Sequence, residues 1–101
     1  MADNGGLEVA YLAYQTWIMG NKKEKRLPGL KYTPNQLFWI NAGNVLCEKQ
    51  ANISMKQGDI NESQTPEFRV ISSMSNLPEF ARDFSCPVNT AMNRKNKCQI
   101  W

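Results

Sequence analysis

Histidine does not occur among the 101 residues of this chain. Because a His-Glu-x-x-His metal site, a Ser-His-Asp triad and a Cys-His dyad all need an imidazole, the sequence excludes each of them within this chain. No stretch reaches the roughly 20 consecutive apolar residues that span a bilayer. The first six residues have neither the basic end nor the apolar run of a secretory signal, so we expect any export signal to lie outside this sequence.

Strong charge is also missing, since 12 basic and 9 acidic residues leave a formal net charge of only +3. This value is too small to indicate a nucleic-acid or membrane partner. The length fits one small domain, and 42% apolar and 21% charged residues are typical of a globular chain. Cysteine occurs three times, so at least one thiol is free or pairs outside the chain, while the spacing of Cys86 and Cys98 allows a local disulfide.

The first apolar periodicity predicts a helix after Gly5-Gly6. Its apolar residues recur on one helical face: Leu7, Ala10, Tyr11, Tyr14, Trp17 and Ile18. Asp3 or Asn4 is expected to cap its start, and Gly20-Asn21 to end it. The run Lys22–Arg26 follows, and we interpret it as a solvated loop. A nucleic-acid surface is the alternative, but no aromatic residues interleave these cations as base stacking requires.

Three further helices are predicted. Thr33-Pro34-Asn35-Gln36 has the pattern of a capping box, and the apolar residues behind it indicate burial on several sides. Residues 48–64 are polar and aperiodic, which predicts a loop. Thr65-Pro66-Glu67 begins a third helix, although a strand through residues 68–71 is the competing interpretation. A short helix from Leu77 or Pro78 to Phe84 precedes a tail whose candidate anchors are Cys86, Cys98 and Trp101.

The chain is rich in aromatic residues for its length, with three Trp, three Tyr and four Phe, most of them in the predicted helices. A free bundle of this length would usually connect its helices by shorter loops. The pattern therefore favours a piece that packs onto something larger.

The order of the segments resembles the C-terminal region of the neprilysin family of zinc metallopeptidases, from end to end and with near-family spacing. The matching segments are Ala2-Asp3-Asn4-Gly5-Gly6-Leu7, Ala10-Tyr11-Leu12-Ala13-Tyr14, Leu27-Pro28-Gly29-Leu30, Gln36-Leu37-Phe38-Trp39, Val45-Leu46-Cys47, Phe68-Arg69-Val70-Ile71, Pro78-Glu79-Phe80 with Phe84 and Cys86, Met92-Asn93, and Lys97-Cys98-Gln99-Ile100-Trp101. Each match alone is weak, but together they are specific.

This resemblance implies a mainly α fold, in which residues 1–101 are the helical C-terminal segment of a larger thermolysin-like metallopeptidase catalytic domain with long loops. The chain would be a single, incomplete domain whose partner is the upstream remainder of the peptidase. Family members are mostly membrane-anchored or secreted enzymes that cleave peptides with one zinc ion. Peptide substrates and an extracellular or cell-surface location are therefore implied.

The resemblance also implies where the zinc ligands lie. Two are His residues of an upstream His-Glu-x-x-His helix, and the third is the Glu of a Glu-x-x-x-Asp motif. Asp3 matches the Asp of that motif, so the Glu would lie four residues earlier, before this sequence begins. We expect no zinc to be bound by this chain alone.

Two site residues carry over by resemblance. Asp3 matches the carboxylate that accepts a hydrogen bond from a zinc-ligating His and so orients it, whereas considered alone it would be a helix cap. Arg69 matches the family's substrate-binding arginine, whose guanidinium can hold a peptide carbonyl or carboxylate through two hydrogen bonds. Considered alone, Arg69 would be half of a surface ion pair.

The chain departs from the family pattern just before Arg69, where an Asp-x-His-Ser-Pro-like stretch normally supplies a His that stabilises the oxyanion. Counting forward from Asp59 places Asn61 at that position, and counting back from Arg69 places Ser63 there. Neither side chain can act as a cation. We therefore expect catalysis to be impaired even in a complete protein.

By the same resemblance, Cys47, Cys86 and Cys98 would each pair with a cysteine upstream of this region. Two sequons, Asn52-Ile53-Ser54 and Asn61-Glu62-Ser63, are compatible with an extracellular loop.

Two functional hypotheses follow. The first is a C-terminal fragment of a zinc-dependent metalloendopeptidase that hydrolyses peptides, which is not catalytic alone because all three zinc ligands and the oxyanion His are missing. The second is a non-catalytic, degenerate peptidase-like module that binds peptides or an intact peptidase.

Overall fold

The described part of the molecule consists of four helices and an irregular tail. A computed structural model describes residues 2–49 and 65–99. Its helices are α1 (Ala2–Gly20), α2 (Pro34–Val45), α3 (Pro66–Ser75) and α4 (Pro78–Asp83). Within these two ranges the only extended pairing is an isolated bridge between Thr90 and Asn93, so the expected mainly α fold is confirmed.

The start of α1 differs from the sequence prediction. Asp3 and Asn4 lie inside its first turn, so the prediction that either caps the helix is wrong. Both side chains are engaged by distant partners, Arg69 and Asn76 respectively, and are not available as caps. These tertiary contacts outweigh the low helix propensity of Gly5-Gly6, which α1 includes.

The starts of α2 and α3 are determined locally, as predicted. Thr33 Oγ1 accepts a hydrogen bond from Gln36 N at 3.2 Å, and Gln36 Oε1 accepts one from Thr33 N at 3.0 Å, which completes the capping box. Thr65 Oγ1 caps α3 by accepting from Phe68 N at 3.3 Å. The alternative of a strand through residues 68–71 is wrong, because this segment lies within α3.

A small core forms where the helices meet. Its buried residues come from α1, α2, α3 and the junction before α4: Tyr11, Trp39, Met74 and Leu77. Tyr11 stacks on Trp39 with ring centroids 4.9 Å apart, and Phe80 meets Trp39 edge-on at 5.6 Å. The described residues do not bury α2 on several sides as expected, since Val45 is 78% exposed.

One buried carboxylate joins three of the helices. Asp83 Oδ2, at the end of α4, accepts hydrogen bonds from Tyr11 Oη at 2.8 Å and Trp39 Nε1 at 2.9 Å. The Asp83 carbonyl accepts from Gln36 Nε2 at 3.0 Å, and the Asp83 side chain is only 7% exposed. Burial of the phenol, together with its hydrogen bond to Asp83, raises the pKa of Tyr11 to about 12.

The tail after α4 is held mainly through its main chain. Cys86 N donates to a carbonyl of α4 at 2.9 Å, and the main chain of Cys98 exchanges two hydrogen bonds with the Asn76 side chain. Lys97 Nζ donates to the last carbonyl of α3 at 3.2 Å. Two of the predicted anchor positions therefore do fix the tail, whereas Trp101 lies outside the described residues.

A membrane-spanning helix is not found among the described residues, because none of their helices is both long and apolar enough to cross a bilayer.

Replacing Asp83 tests whether its carboxylate holds the helices together. Asp83→Ala leaves the Tyr11 hydroxyl and the Trp39 N–H without their acceptor, so we expect the free energy of unfolding to fall by about 3 kcal/mol. Asp83→Asn retains one acceptor oxygen and should lose less. Urea denaturation measures both, with the exposed Glu67→Gln as a control expected to change stability by less than about 0.5 kcal/mol. Equal effects for all three variants would contradict the prediction.

Alkaline titration tests the buried phenol. Because folding raises the pKa of Tyr11 from 10.0 to about 12, the neutral phenol stabilises the folded state below pH 10, and this contribution is lost as the pH rises toward 12. We expect Tyr11→Phe to flatten the decline of the urea midpoint over this range. Trp39→Phe retains the phenol and should keep the decline. An unchanged slope in Tyr11→Phe would show that another group is responsible.

Candidate functional site

An ion pair between the first turn of α1 and the first turn of α3 is the centre of the candidate site. Arg69 Nε donates to Asp3 Oδ2 at 2.8 Å, and Arg69 Nη2 donates to Asp3 Oδ1 at 2.9 Å. The two parallel hydrogen bonds fix the guanidinium in the plane of the carboxylate. This contact joins the first turn of α1 to α3.

The helix itself positions Arg69. Its N–H donates to Thr65 O at 3.0 Å in the first turn of α3, and its carbonyl accepts from Ser73 Oγ at 2.5 Å one turn later. Thr65 also caps α3. The local sequence therefore determines where α3 begins, and with it the position of Arg69 on the helix.

The start of α1 is fixed by a second contact beside the ion pair. Asn4 is buried, and its Oδ1 accepts from Asn76 Nδ2 at 2.9 Å. Because Asn76 also bonds to the main chain of Cys98, one side chain connects α1, the end of α3 and the tail. Asp3 is therefore presented to Arg69 from a rigid helix end.

The ion pair keeps both groups charged. The hydrogen bond from Arg69 is the main reason that the pKa of Asp3 is lowered from 3.8, and the same contact raises the pKa of Arg69. Both side chains remain partly open to solvent, at 35% and 41% exposure. The pair uses two of the five N–H donors of the guanidinium, and within residues 2–49 and 65–99 the structure shows no hydrogen bond from the other three.

An apolar groove of about 330 Å³ opens beside the ion pair. Apart from Asp3 and Arg69, its walls are mainly aliphatic, and they include Leu7, Val45, Leu46, Val70 and Met74. A groove of this composition can take an apolar side chain whose polar main chain lies against the arginine. A larger cavity, of about 570 Å³, lies elsewhere along α1, and both charged and uncharged side chains line it, but neither Asp3 nor Arg69 does.

Metal-binding side chains do not cluster in the described ranges. No group of three or more His, Cys, Asp or Glu residues lies close enough there to hold a metal ion, and the sequence contains no His. Asp3, bound to Arg69, is not part of such a group. The described residues therefore do not form a metal centre by themselves.

The structure brings Asp3 and Arg69 together, which the sequence analysis treated as separate sites. Arg69 forms an ion pair, as expected of it considered alone, while the substrate-binding role that the resemblance implies stays a prediction. No spacing rule indicated that its partner lies 66 residues away. The network of Tyr11, Trp39 and Asp83 was also missed, because each residue alone has an ordinary interpretation. Asn61 and Ser63, the candidates for the oxyanion position, lie outside the described residues.

The three cysteines are free thiols in the structure. Cys47 and Cys98 are exposed and Cys86 is partly buried, and the local disulfide between Cys86 and Cys98 that their spacing allows is not formed. Pairing with cysteines outside this chain stays a prediction.

Comparison with known proteins gives matches along the whole chain. The model of peptidase family M13 matches residues 1–100. Neprilysin-2 of Drosophila melanogaster and endothelin-converting enzyme 1 of Rattus norvegicus are each 44% identical to the chain over 102 aligned residues. Endothelin-converting enzyme-like 1 of Homo sapiens is 41% identical over the same length. Each alignment covers 100% of this chain but only 13% of the relative.

Acid titration and a double-mutant cycle test the ion pair. Because Arg69 lowers the pKa of Asp3 in the folded state, the pair stabilises the fold fully above pH 3.8, and this contribution is lost as the pH falls through the lower folded-state value. We expect Asp3→Asn and Arg69→Lys to show favourable coupling in urea denaturation at neutral pH, smaller than the effect of Asp83→Ala because the pair is partly solvated. If the two substitutions changed the free energy of unfolding additively at neutral pH, the ion pair would not stabilise the fold.

Proposed function

Because this chain belongs to peptidase family M13, the neprilysin family, we propose that it supplies the C-terminal part of a zinc-dependent endopeptidase domain that hydrolyses peptides. The observation that carries this proposal is the ion pair of Asp3 and Arg69 at the edge of an apolar groove. The chain spans 13% of the length of the relatives it matches, so the rest of the domain would come from other residues.

In this proposal, Arg69 binds the main chain of the substrate. Its guanidinium is always charged and is held in one plane by Asp3, and the three N–H donors that Asp3 does not use would bind a peptide carbonyl or carboxylate. The groove beside it would receive an apolar side chain of the same peptide. We therefore propose peptides with a bulky apolar residue at this subsite as the substrate class.

Asp3 would act on the metal site indirectly. Each oxygen of its carboxylate has two acceptor positions, and Arg69 occupies one on each oxygen. The remaining positions can accept an N–H from an imidazole that ligates zinc, which would fix the orientation of that ligand. The zinc itself would be bound by the His and Glu ligands that the family resemblance places upstream of this sequence.

The remainder of the domain would also cover the apolar surface that this chain leaves open. Val9, Leu12 and Met19 of α1 are 62%, 56% and 82% exposed. Exposed apolar side chains of this size along one helix favour burial against further protein. We propose that Cys47, Cys86 and Cys98 pair with cysteines of that remainder, which would suit an extracellular or cell-surface enzyme.

A non-catalytic peptide-binding module is the second candidate. It is favoured by one observation, the absence of His from this chain, because the family's oxyanion position is then Asn61 or Ser63. Such a module would retain the peptide contacts of Arg69 and the groove but lack part of the stabilisation of the transition state.

Peptide hydrolysis by the natural full-length protein distinguishes the two functions. For an endopeptidase, we expect Arg69→Lys to raise KM and lower kcat/KM about tenfold or more, because an ammonium cannot make the two planar contacts. Asp3→Asn should lower activity or zinc affinity by about 10- to 100-fold. The exposed Arg94→Lys is the matched control and should be unchanged.

The other outcomes are equally informative. Peptide binding that depends on Arg69, without turnover by a zinc-loaded protein, would favour the non-catalytic module. Hydrolysis that is the same in Arg69→Lys, Asp3→Asn and the control would overturn the proposed site.

A further inference from the structure

The loop between α1 and α2 carries the densest positive charge in the sequence. Four of the five residues in Lys22–Arg26 are cations, and every residue from 21 to 31 is exposed. Residues 22–27 belong to no helix or strand. The function proposed above makes no use of this segment.

The main chain of residues 22–26 makes no hydrogen bond to another main-chain group in the part of the chain that the structure describes. Among the described residues, Asn21 N donates to Ile18 O at the end of α1, and the next hydrogen bond between main-chain groups along the chain runs from Leu30 N to Leu27 O. Within the loop, Glu24 accepts from Tyr14 Oη at 3.3 Å, an exposed contact that contributes little stability. The loop can therefore leave the surface and extend at little cost, which is the conformation that proteases require.

A second pair of basic residues in the tail provides an internal contrast. Arg94-Lys95 is as exposed as the loop, but the Arg94 carbonyl accepts from Lys97 Nζ at 3.0 Å. Lys97 also binds the last carbonyl of α3 at 3.2 Å and Asn93 Oδ1 at 2.8 Å. The main chain of Asn93 pairs with Asn89 and Thr90. The tail thus carries a basic pair like that of the loop, but its main chain cannot extend without breaking tertiary contacts.

We propose that the bond between Arg26 and Leu27 is a processing site for an endoprotease that recognises paired basic residues. Carboxylates in the pockets of such an enzyme would bind Lys25 and Arg26. The protease adds water across this amide, so that Arg26 gains a carboxylate and Leu27 a free amino group. The bond after Lys23 is a poorer candidate, because Glu24 follows it and its charge opposes an acidic cleft.

Cleavage at this bond would not release α1. The helix remains attached through the pair of Asp3 and Arg69 and through the hydrogen bond from Tyr11 to Asp83. Asn4 adds a third contact, with Asn76. The product is a nicked protein whose two parts separate only when it is denatured and any disulfides between them are reduced.

Limited proteolysis of the natural full-length protein tests this site. Trypsin at a limiting concentration and a serine endoprotease specific for paired basic residues serve as probes, and mass spectrometry follows the new termini after Arg26 and after Arg94 or Lys95. We expect cleavage after Arg26 to be faster by about tenfold or more in the native protein, since the tail must open locally before it is cut. In urea the two sites should be cut at similar rates.

Two double variants complete the test. Lys25→Gln with Arg26→Gln should abolish the early nick made by the protease specific for paired basic residues, whereas Arg94→Gln with Lys95→Gln should leave it unchanged. The nicked protein should elute as one species on size exclusion and separate under conditions that are both denaturing and reducing. Cleavage in the tail first, equal native rates at both sites, or resistance of the loop would each overturn the proposal.

Discussion

The carboxylate of Asp83 is the group on which the described fold depends. It accepts from Tyr11 of α1 and Trp39 of α2 while its own carbonyl accepts from Gln36, so three helices meet at one residue. The apolar core around it is small. In so small a core, the buried carboxylate and its two donors fix how the helices are oriented relative to one another, which apolar packing alone would not do. Hydrogen bonds to a carboxylate are strong and depend on geometry.

The candidate site is a consequence of how α1 is held. Tyr11 fixes the middle of the helix, and the contact of Asn4 with Asn76 fixes its start. Asp3 then meets Arg69 as a planar, doubly hydrogen-bonded pair beside the groove. The exposed loop after α1 takes no part in these contacts, which is why it can be cut without releasing the helix in our proposal.

Sequence patterns predicted the starts of α2 and α3, which depend only on neighbouring residues. The capping box of Thr33 and Gln36 and the cap by Thr65 could be predicted from the sequence because donor and acceptor are three residues apart. The predicted cap at Asp3 failed for the opposite reason. Its carboxylate has a stronger, charge-assisted partner in Arg69, and no local pattern contains information about a contact between residues so far apart in sequence.

The sequence by itself determined the mainly α character, the family and the lack of any imidazole in this chain, since composition, helix caps and segment order need no tertiary information. It also identified Asp3 and Arg69 as site candidates, but as separate ones. Only the tertiary structure decided that they bind each other and that an apolar groove lies beside them. The physical reason is that the ion pair arises from the packing of α1 against α3, and the groove from the packing of both against the end of α2, which bring together side chains distant along the chain.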